Sequence, residues 1–399
     1  MYLIGLIVGV ACLAIWSYLL LLRGGFWKVW RLQSPKLPLG MVVGQIAVVI
    51  PARDEADVIG ASVGSLLEQN LIESMHIFVV DDHSSDGTAQ AARQAAHNCG
   101  RSDGLTVLTG TGLPAEWTGK LWAVQQGIHE AQKLNPQFLL LTDADIIHSP
   151  DTVATLVGIA QAGNYDLASF MVKLHCRSLA ERLLIPPFVF FFFLLYPPDW
   201  IRDPRRNTAG AAGGCMLVRP EALERPGGLA SIRGEIIDDC ALAKAVKRSG
   251  GKVWLGLTPN TRSERAYGSF AEIDHMIART AFNQLRHSAL LLIGAIIGMF
   301  LSYLLPLVLI FSGDRIIAAL GVLAWFLMAL AYLPVVRFYE LNPLWSLTLP
   351  LSACFYMVAT IHSAFKFWAG RGGEWKGRVQ DTATDLGTPS SRQTRTPTD

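Results

Sequence analysis

Charge is scarce in this 399-residue chain: only 17% of its residues are Asp, Glu, Lys or Arg, against about 25% in an ordinary soluble domain. The formal net charge of +2 is too small to advertise a polyanionic partner, so a nucleic-acid-binding protein fits poorly. Cysteine is thin as well. Six thiols (Cys12, Cys99, Cys176, Cys215, Cys240, Cys354) lie scattered with no C-x-x-C pair, which suits neither a zinc site nor a disulfide framework. The Gly-Lys-Ser/Thr spacing of a phosphate loop is missing, as is a G-x-G-x-x-G after a strand, which argues against a P-loop or a dinucleotide site. What abounds is apolar, 51% of the residues. The remaining class is a membrane protein with one sizeable soluble domain.

Residues 3–22 are an uncharged apolar run with no positive charge before it and Arg23, Lys28, Arg31 and Lys36 after it. That pattern predicts an N-terminal transmembrane signal-anchor over 1–22, with the N-terminus outside, and a basic linker over 23–44 on the cytoplasmic face. Apolar segments 289–312, 316–336 and 344–365 predict about three further transmembrane helices within 289–368, followed by a polar tail, 369–399. The chain is thus expected in the cell or inner membrane as a multi-pass protein. Three more crossings place Lys366, Arg371, Lys376 and Arg378 outside, against the positive-inside tendency, so one segment reads as re-entrant or interfacial. The stretch 183–198, LLIPPFVFFFFLLYPP, is shorter than a span and bracketed by paired prolines. It reads either as a buried core helix or, the reading favoured by four consecutive phenylalanines, as an apolar interfacial insert with Phe190 to Phe193 forming a ramp for a lipid.

Residues 45–288 read as one cytoplasmic domain. Short runs rich in Val, Ile, Leu and Phe (46–50, 76–81, 105–108, 138–143) alternate with helical patterns such as 57–69 and 88–97. That rhythm predicts an α/β fold with a mostly parallel sheet, whose ligands sit beyond the carboxyl ends of the strands. Charged clusters follow the strands directly. After IAVVIP come Arg53, Asp54 and Glu55, where a carboxylate can accept ribose hydroxyls or complement a helix N-terminus. In VVDDHSSDGT, Ser85 and Asp86 read as caps, and Asp82 is placed to meet a base or ribose; a metal on His83 has no second His cluster behind it. In LLLTDADII, Asp143 and Asp145 suit a hard divalent ion that keeps waters and takes phosphate oxygens. The loop TGTGLPAEWTGK carries Lys120, a point charge for a diphosphate. Gly213 and Gly214 let a sugar approach the backbone. Asp238 and Asp239 begin an amphipathic helix, one as a helix-terminal acid and the other as a general base. Arg279, Gln284, Arg286 and His287 read either as a basic interfacial helix or as a lid over phosphates.

The ordered set IPARDE, VVDDHSSDGT, TGK, DAD, GG-x-x-x-V-R and IDDCAL resembles the family 2 glycosyltransferases of the A-type (GT-A) nucleotide-sugar fold over roughly residues 45–288. The single N-terminal span, the WTGK-x-W-A loop, the Phe-rich insert and the QLRHS-then-membrane ending further resemble hopanoid-biosynthesis-associated membrane glycosyltransferases. The resemblance implies that Pro51, Glu55 and Asp82 hold the nucleoside, and that Lys120, Gly213, Gly214 and Arg286 complete the nucleotide-sugar site. It further implies that Asp143 and Asp145 position the nucleotide and a Mg²⁺ or Mn²⁺ ion. Asp239, seconded by Asp238, then deprotonates the acceptor. Asp54 stands where Asn is usual, Asp238 where Glu often is, and the processive Q-x-x-R-W signature is absent. The implied activity is inverting transfer of one sugar from a nucleoside-diphosphate sugar, a UDP-sugar favoured, to a membrane lipid. The alternatives are a nucleotidyl- or phosphosugar transferase and a non-catalytic membrane assembly protein.

Overall fold

The computed structural model describes residues 2–29 and 43–373. Arg31, Lys36 and most of the expected basic linker lie outside the described residues, as do Lys376, Arg378 and the polar tail beyond 373.

Among the described residues eight strands form one sheet: β1 (Ile46–Ala52), β2 (Met75–Asp81), β3 (Leu105–Thr109), β4 (Phe138–Thr142), β5 (Ile146–Ile147), β6 (Leu167–Lys173), β7 (Cys215–Val218) and β8 (Val253–Ser263). Their order is β3-β2-β1-β4-β7-β6-β8-β5. Every residue of β1 and β4 is buried, as continuous apolar runs are when helices cover both faces of a sheet. Ile46, Val48 and Ile50 face the helices Ala56–Leu67, Thr88–Asn98 and Thr152–Ala162. Ala47 and Val49 face the helix Gly119–Gln132 on the other side, the alternation a strand imposes.

The sheet is mixed rather than mostly parallel. β1–β2, β1–β4, β2–β3 and β6–β8 pair parallel; β4–β7, β6–β7 and β5–β8 pair antiparallel. A buried apolar strand reads the same in either direction, and the long excursion between β6 and β7 re-enters the sheet at the end where β6 left it, so β7 runs antiparallel to its neighbours. Because β1 lies between β2 and β4, the winding reverses at β1/β4, where open α/β sheets form a ligand crevice.

Among the described residues, five helical stretches are long and apolar enough to cross a membrane: Tyr2–Leu22, Leu179–Arg202, Ala289–Ile310, Arg315–Phe338 and Pro343–Trp368. The three C-terminal ones coincide with the apolar segments read from the sequence. The Phe-rich stretch departs from expectation. Pro186 and Pro187 lie inside the helix Leu179–Leu195 rather than bracketing it. Phe190 and Phe193 are buried, Phe190 against Phe26 and Tyr332 at 5.3 and 5.4 Å. Phe191 packs on Tyr356 and Phe192 on Tyr196. Four successive helical residues point about 100° apart, so they cannot share one exposed face. The lipid-ramp expectation is therefore withdrawn.

Proline inside these helices frees carbonyls, and other helices supply the donors. Pro187 cannot donate to Leu183; the Leu183 carbonyl accepts the Ser352 hydroxyl instead at 2.8 Å. Pro306 cannot donate to Ser302, and the π-helical turn Phe300–Leu304 just before it sends the Leu305 N–H to Phe300. The freed Ser302 carbonyl accepts the indole N–H of buried Trp16 at 2.7 Å. The N-terminal helix closes on Arg315–Phe338 through small residues, as membrane helices do: an added Cβ at Gly5 or Gly9 would come within 2.6 Å of Ile317 or 2.9 Å of Leu320. Trp16→Phe keeps a ring against Tyr303 but leaves the Ser302 carbonyl without its donor. It should destabilise the purified protein by about 1–3 kcal/mol, read as a lowered Tm; an unchanged Tm would remove this bond from the account.

Candidate functional site

The loops after β1 and β2 are tied to one another. The Asp82 N–H donates to the Ala52 carbonyl at 2.8 Å, and the Arg53 guanidinium donates to the Asp82 carbonyl at 2.6 Å and lies 3.4 Å from its carboxylate. Asp54, at φ 50°, accepts the Ser85 N–H at 2.8 Å. Asp86 accepts the N–H groups of Ala56 and Thr88. Asp54 and Asp86 thus shape the loops, while Asp82 is buried beside them.

Lys120 organises the centre. It stands in the first turn of Gly119–Gln132, whose cap Thr118 accepts the Leu121 N–H. Its Nζ lies 2.9 Å from Asp143 Oδ1 and 3.2 Å from Asp238 Oδ2. Asp143 directly follows β4; Asp238 and Asp239 open the helix Asp238–Arg248, where the helix dipole favours acids. The antiparallel register sets Cys215 opposite Thr142, which brings Gly213 and Gly214 to the mouth of β4. The Gly213 N–H donates to Asp239 Oδ2 at 2.8 Å and the Cys240 N–H to Oδ1 at 2.6 Å. A Cβ on Gly213 would lie 3.4 Å from Asp239 Oδ2 and 3.5 Å from Lys120 Nζ, so any larger side chain would fill the gap between carboxylate and ammonium. Pro51, Lys120, Leu141, Asp143, Gly213 and Asp238 line one cleft here.

Burial and the neighbouring Asp238 charge push the Asp239 carboxyl up to about 6. Burial opposes ionisation of Asp143 too, but Lys120, then Arg279 and Arg265, hold it below the usual carboxylate range. Burial works against the Lys120 ammonium, and Asp143 and Asp238 outweigh it, so its pKa is raised. Lys120 and Asp143 keep 24% and 35% of their side chains exposed, so solvent screens their pair.

Asp145 is held apart from this cluster by different partners. Its Oδ2 accepts the Ser263 hydroxyl at 2.6 Å and lies 3.4 Å from Arg265 Nε. Arg265 also donates to both Glu55 oxygens, at 2.7 and 2.9 Å. No motif announced Arg265; the pairing of Ile146 with Ser263 carries it here. Asp143 and Asp145 supply hard carboxylate oxygens, and Asp143 Oδ2 and Asp145 Oδ1 lie outside these contacts. Such a set suits Mg²⁺ or Mn²⁺ completed by waters and phosphate oxygens. Among the described residues no third His, Cys, Asp or Glu joins them.

Arg286 is not brought to the cluster. It is exposed, at φ 52°, and next to it His287, at φ 55°, stacks on Phe367 at 4.0 Å. Gln284 instead accepts the Tyr196 hydroxyl at 2.9 Å. His148, offered no sequence signal, sits buried behind β4: its Nε2 lies 3.0 Å from the Thr142 hydroxyl, which itself donates to the Gly214 carbonyl. Burial lowers His148 to about 3, so it is neutral.

Residues 44–283, more than half of the chain, match the family described as Glycosyltransferase like family 2. A mannosyltransferase from Pyrobaculum calidifontis, solved in complex with GDP-Man and Mn²⁺, superimposes with a TM-score of 0.53 at 18% identity, covering 90% of this chain and 99% of its own. A glucosyl-3-phosphoglycerate synthase from Mycobacterium tuberculosis, solved with Mn²⁺, UDP-glucose and phosphoglyceric acid, reaches a TM-score of 0.41 at 16% identity over 64% of this chain and 86% of its own. No curated protein sequence matches the chain. The family match spans the sheet and the whole Lys120 cluster, and the chain accordingly belongs to glycosyltransferase family 2 and is a glycosyltransferase.

Proposed function

We propose that the protein transfers one sugar from a nucleoside-diphosphate sugar, a UDP-sugar in our reading, to the hydroxyl of a hopanoid or other isoprenoid- or sphingolipid-like membrane lipid, with inversion at the anomeric carbon. The observation that carries this is the contact of Lys120 with Asp143 and Asp238, one residue from Asp239, at the β1/β4 switch point. Pro51, Glu55 and Asp82 bind the nucleoside, and Lys120 and Gly213 face the diphosphate and sugar. A divalent ion held by Asp143 and Asp145 supplies charge that offsets the leaving diphosphate. Asp239 removes the acceptor hydroxyl proton as that oxygen bonds to the anomeric carbon from the face opposite the diphosphate. The anomeric carbon–oxygen bond to the diphosphate breaks, and its electron pair leaves with the nucleoside diphosphate. The apolar helices support a lipid acceptor presented at the cytoplasmic face of a multi-pass membrane protein. The missing Q-x-x-R-W signature supports transfer of one sugar rather than a polymer.

The test is to incubate membranes holding the protein with a panel of nucleotide sugars and identify the labelled lipid. EDTA should abolish transfer, and Mg²⁺ or Mn²⁺ should restore it; full activity in EDTA would remove the ion from the mechanism. Release of pyrophosphate instead of a nucleoside diphosphate would favour a nucleotidyltransferase.

A further inference from the structure

Where the last apolar stretch begins and ends decides its course. It leaves Arg315–Phe338 beside the sheet: Glu340 takes the Lys173 ammonium at 2.7 Å, and Lys173 ends β6. The chain then turns back along that helix, because the Leu347 carbonyl accepts the Trp325 indole N–H at 3.3 Å. Trp325 precedes Phe338 by 13 residues, about 20 Å of helix.

The helix Leu349–Trp368 packs on the apolar helix Leu179–Leu195 near its start and on the catalytic domain toward its end. Near its start, Ser352 and Tyr356 donate to the Leu183 and Leu184 carbonyls, each at 2.8 Å. Toward its end, His362 meets Asp274 at 2.6 Å, Ser363 accepts the Phe282 N–H at 3.0 Å, and Lys366 meets His275 at 3.2 Å. These partners lie between β8 and Ala289, the first residue of the helix Ala289–Met299. Glu340 just before the stretch and His362 to Lys366 at its end therefore both rest on the domain that carries Lys120 and Asp239.

The helices Tyr2–Leu22, Ala289–Ile310 and Arg315–Phe338 run otherwise. Gly5 meets Ile317 and Gly9 meets Leu320, so the first and last run the same way. Gly321 meets Pro306 and Leu309, so Ala289–Ile310 runs against them and the chain reverses at Gly313.

We propose that Pro343–Trp368 enters and leaves the bilayer on the catalytic face, so that the chain crosses three times and Arg371 lies on the same side as Asp239. A crossing of about 30 Å of hydrocarbon is incompatible with Glu340 paired to Lys173 just before the stretch and His362 to Lys366 seated on Asp274, Phe282 and His275 at its end. The outward row Leu351, Val358, Ile361, Phe365 and Trp368 is 36–62% exposed, and its occupant is the hydrocarbon of that leaflet. Lys366 and Arg371 then fall on the positive-inside face, which removes the charge conflict in the sequence.

The inference rests on the membrane reading above, and its test separates the two. In sealed vesicles of either orientation, a membrane-impermeant maleimide is applied, and the labelled residues are located by peptide mass. Exposed Cys99 and Arg371→Cys should react from one face only, and Ser312→Cys, beside Gly313, only from the other. Arg371→Cys reacting together with Ser312→Cys would show that Pro343–Trp368 crosses, and overturn the proposal while leaving the membrane reading intact. Residue 312 sharing the face of Cys99 would overturn both. A tag placed after Asp399 gives a second readout without any substitution: protease added on the catalytic face should remove it, and removal only from the opposite face contradicts re-entry.

Discussion

Asp239→Asn should lower sugar transfer by roughly two to four powers of ten, the usual scale for losing a general base, with donor affinity nearly unchanged. The asparagine oxygen still accepts one of the two N–H groups, Gly213 or Cys240, that Asp239 accepts now, while its NH2 can accept neither the other N–H nor a proton at neutral pH. The pH profile gives the sharper readout. A base must be unprotonated to act, and burial beside Asp238 puts the Asp239 carboxyl at about 6. In the parent enzyme kcat/KM should therefore fall as pH drops through that region; in the variant this limb should vanish from the residual rate. If Asp238→Asn is dead and Asp239→Asn turns over normally, the base is the neighbouring residue.

Lys120→Met should move two affinities in opposite directions. The ammonium neutralises Asp143 and Asp238 and faces the cleft where the diphosphate would lie. Removing it takes away one hydrogen bond between charged groups, so donor binding should weaken roughly ten- to a hundredfold, the equivalent of about 1.5–3 kcal/mol. The same change uncovers the Asp143 oxygen that the cation now holds. Mn²⁺ binding in the absence of nucleotide, followed by the paramagnetic resonance of the free ion, should tighten. Arg in place of Lys presents a wide planar fork where a compact charge fits, so it should restore neither value fully. Weakening of both affinities together would mean that Lys120 only holds the fold, and the proposed role would fall.

Much of this site could be read before the fold was known, because strand-end residues announce themselves. A short apolar run followed at once by acids, as at Asp82 or Asp143, fixes which end of a buried strand carries polar groups. Their convergence with Lys120 and Gly213 depends on long-range pairing that leaves no local trace. β7 illustrates this: its four buried residues are compatible with either direction, and only the antiparallel choice delivers Gly213 to Asp239. Arg265 was invisible for the same reason, since it reaches Asp145 and Glu55 through the register of β8 with the two-residue β5. The Phe-rich run misled because composition signals lipid, whereas a helix spreads consecutive rings around its circumference into contacts with Phe26, Tyr332 and Tyr356.

The bond from Trp16 to Ser302 joins residues 286 positions apart, and this has a consequence in time. At about 5–20 residues per second, synthesis of the intervening chain takes on the order of a quarter of a minute to a minute. On the membrane reading proposed above, the first helix would stand in the bilayer throughout that interval with its Gly5 and Gly9 surface uncovered and its indole N–H unmatched, while the whole catalytic sheet is being made. The sheet domain would then have its opportunity to fold while tethered by a single helix, and the helix bundle can close only after Phe300–Leu304 and Arg315–Phe338 have emerged. Its assembly is a race between that late closure and capture of the waiting glycine face by some other membrane helix.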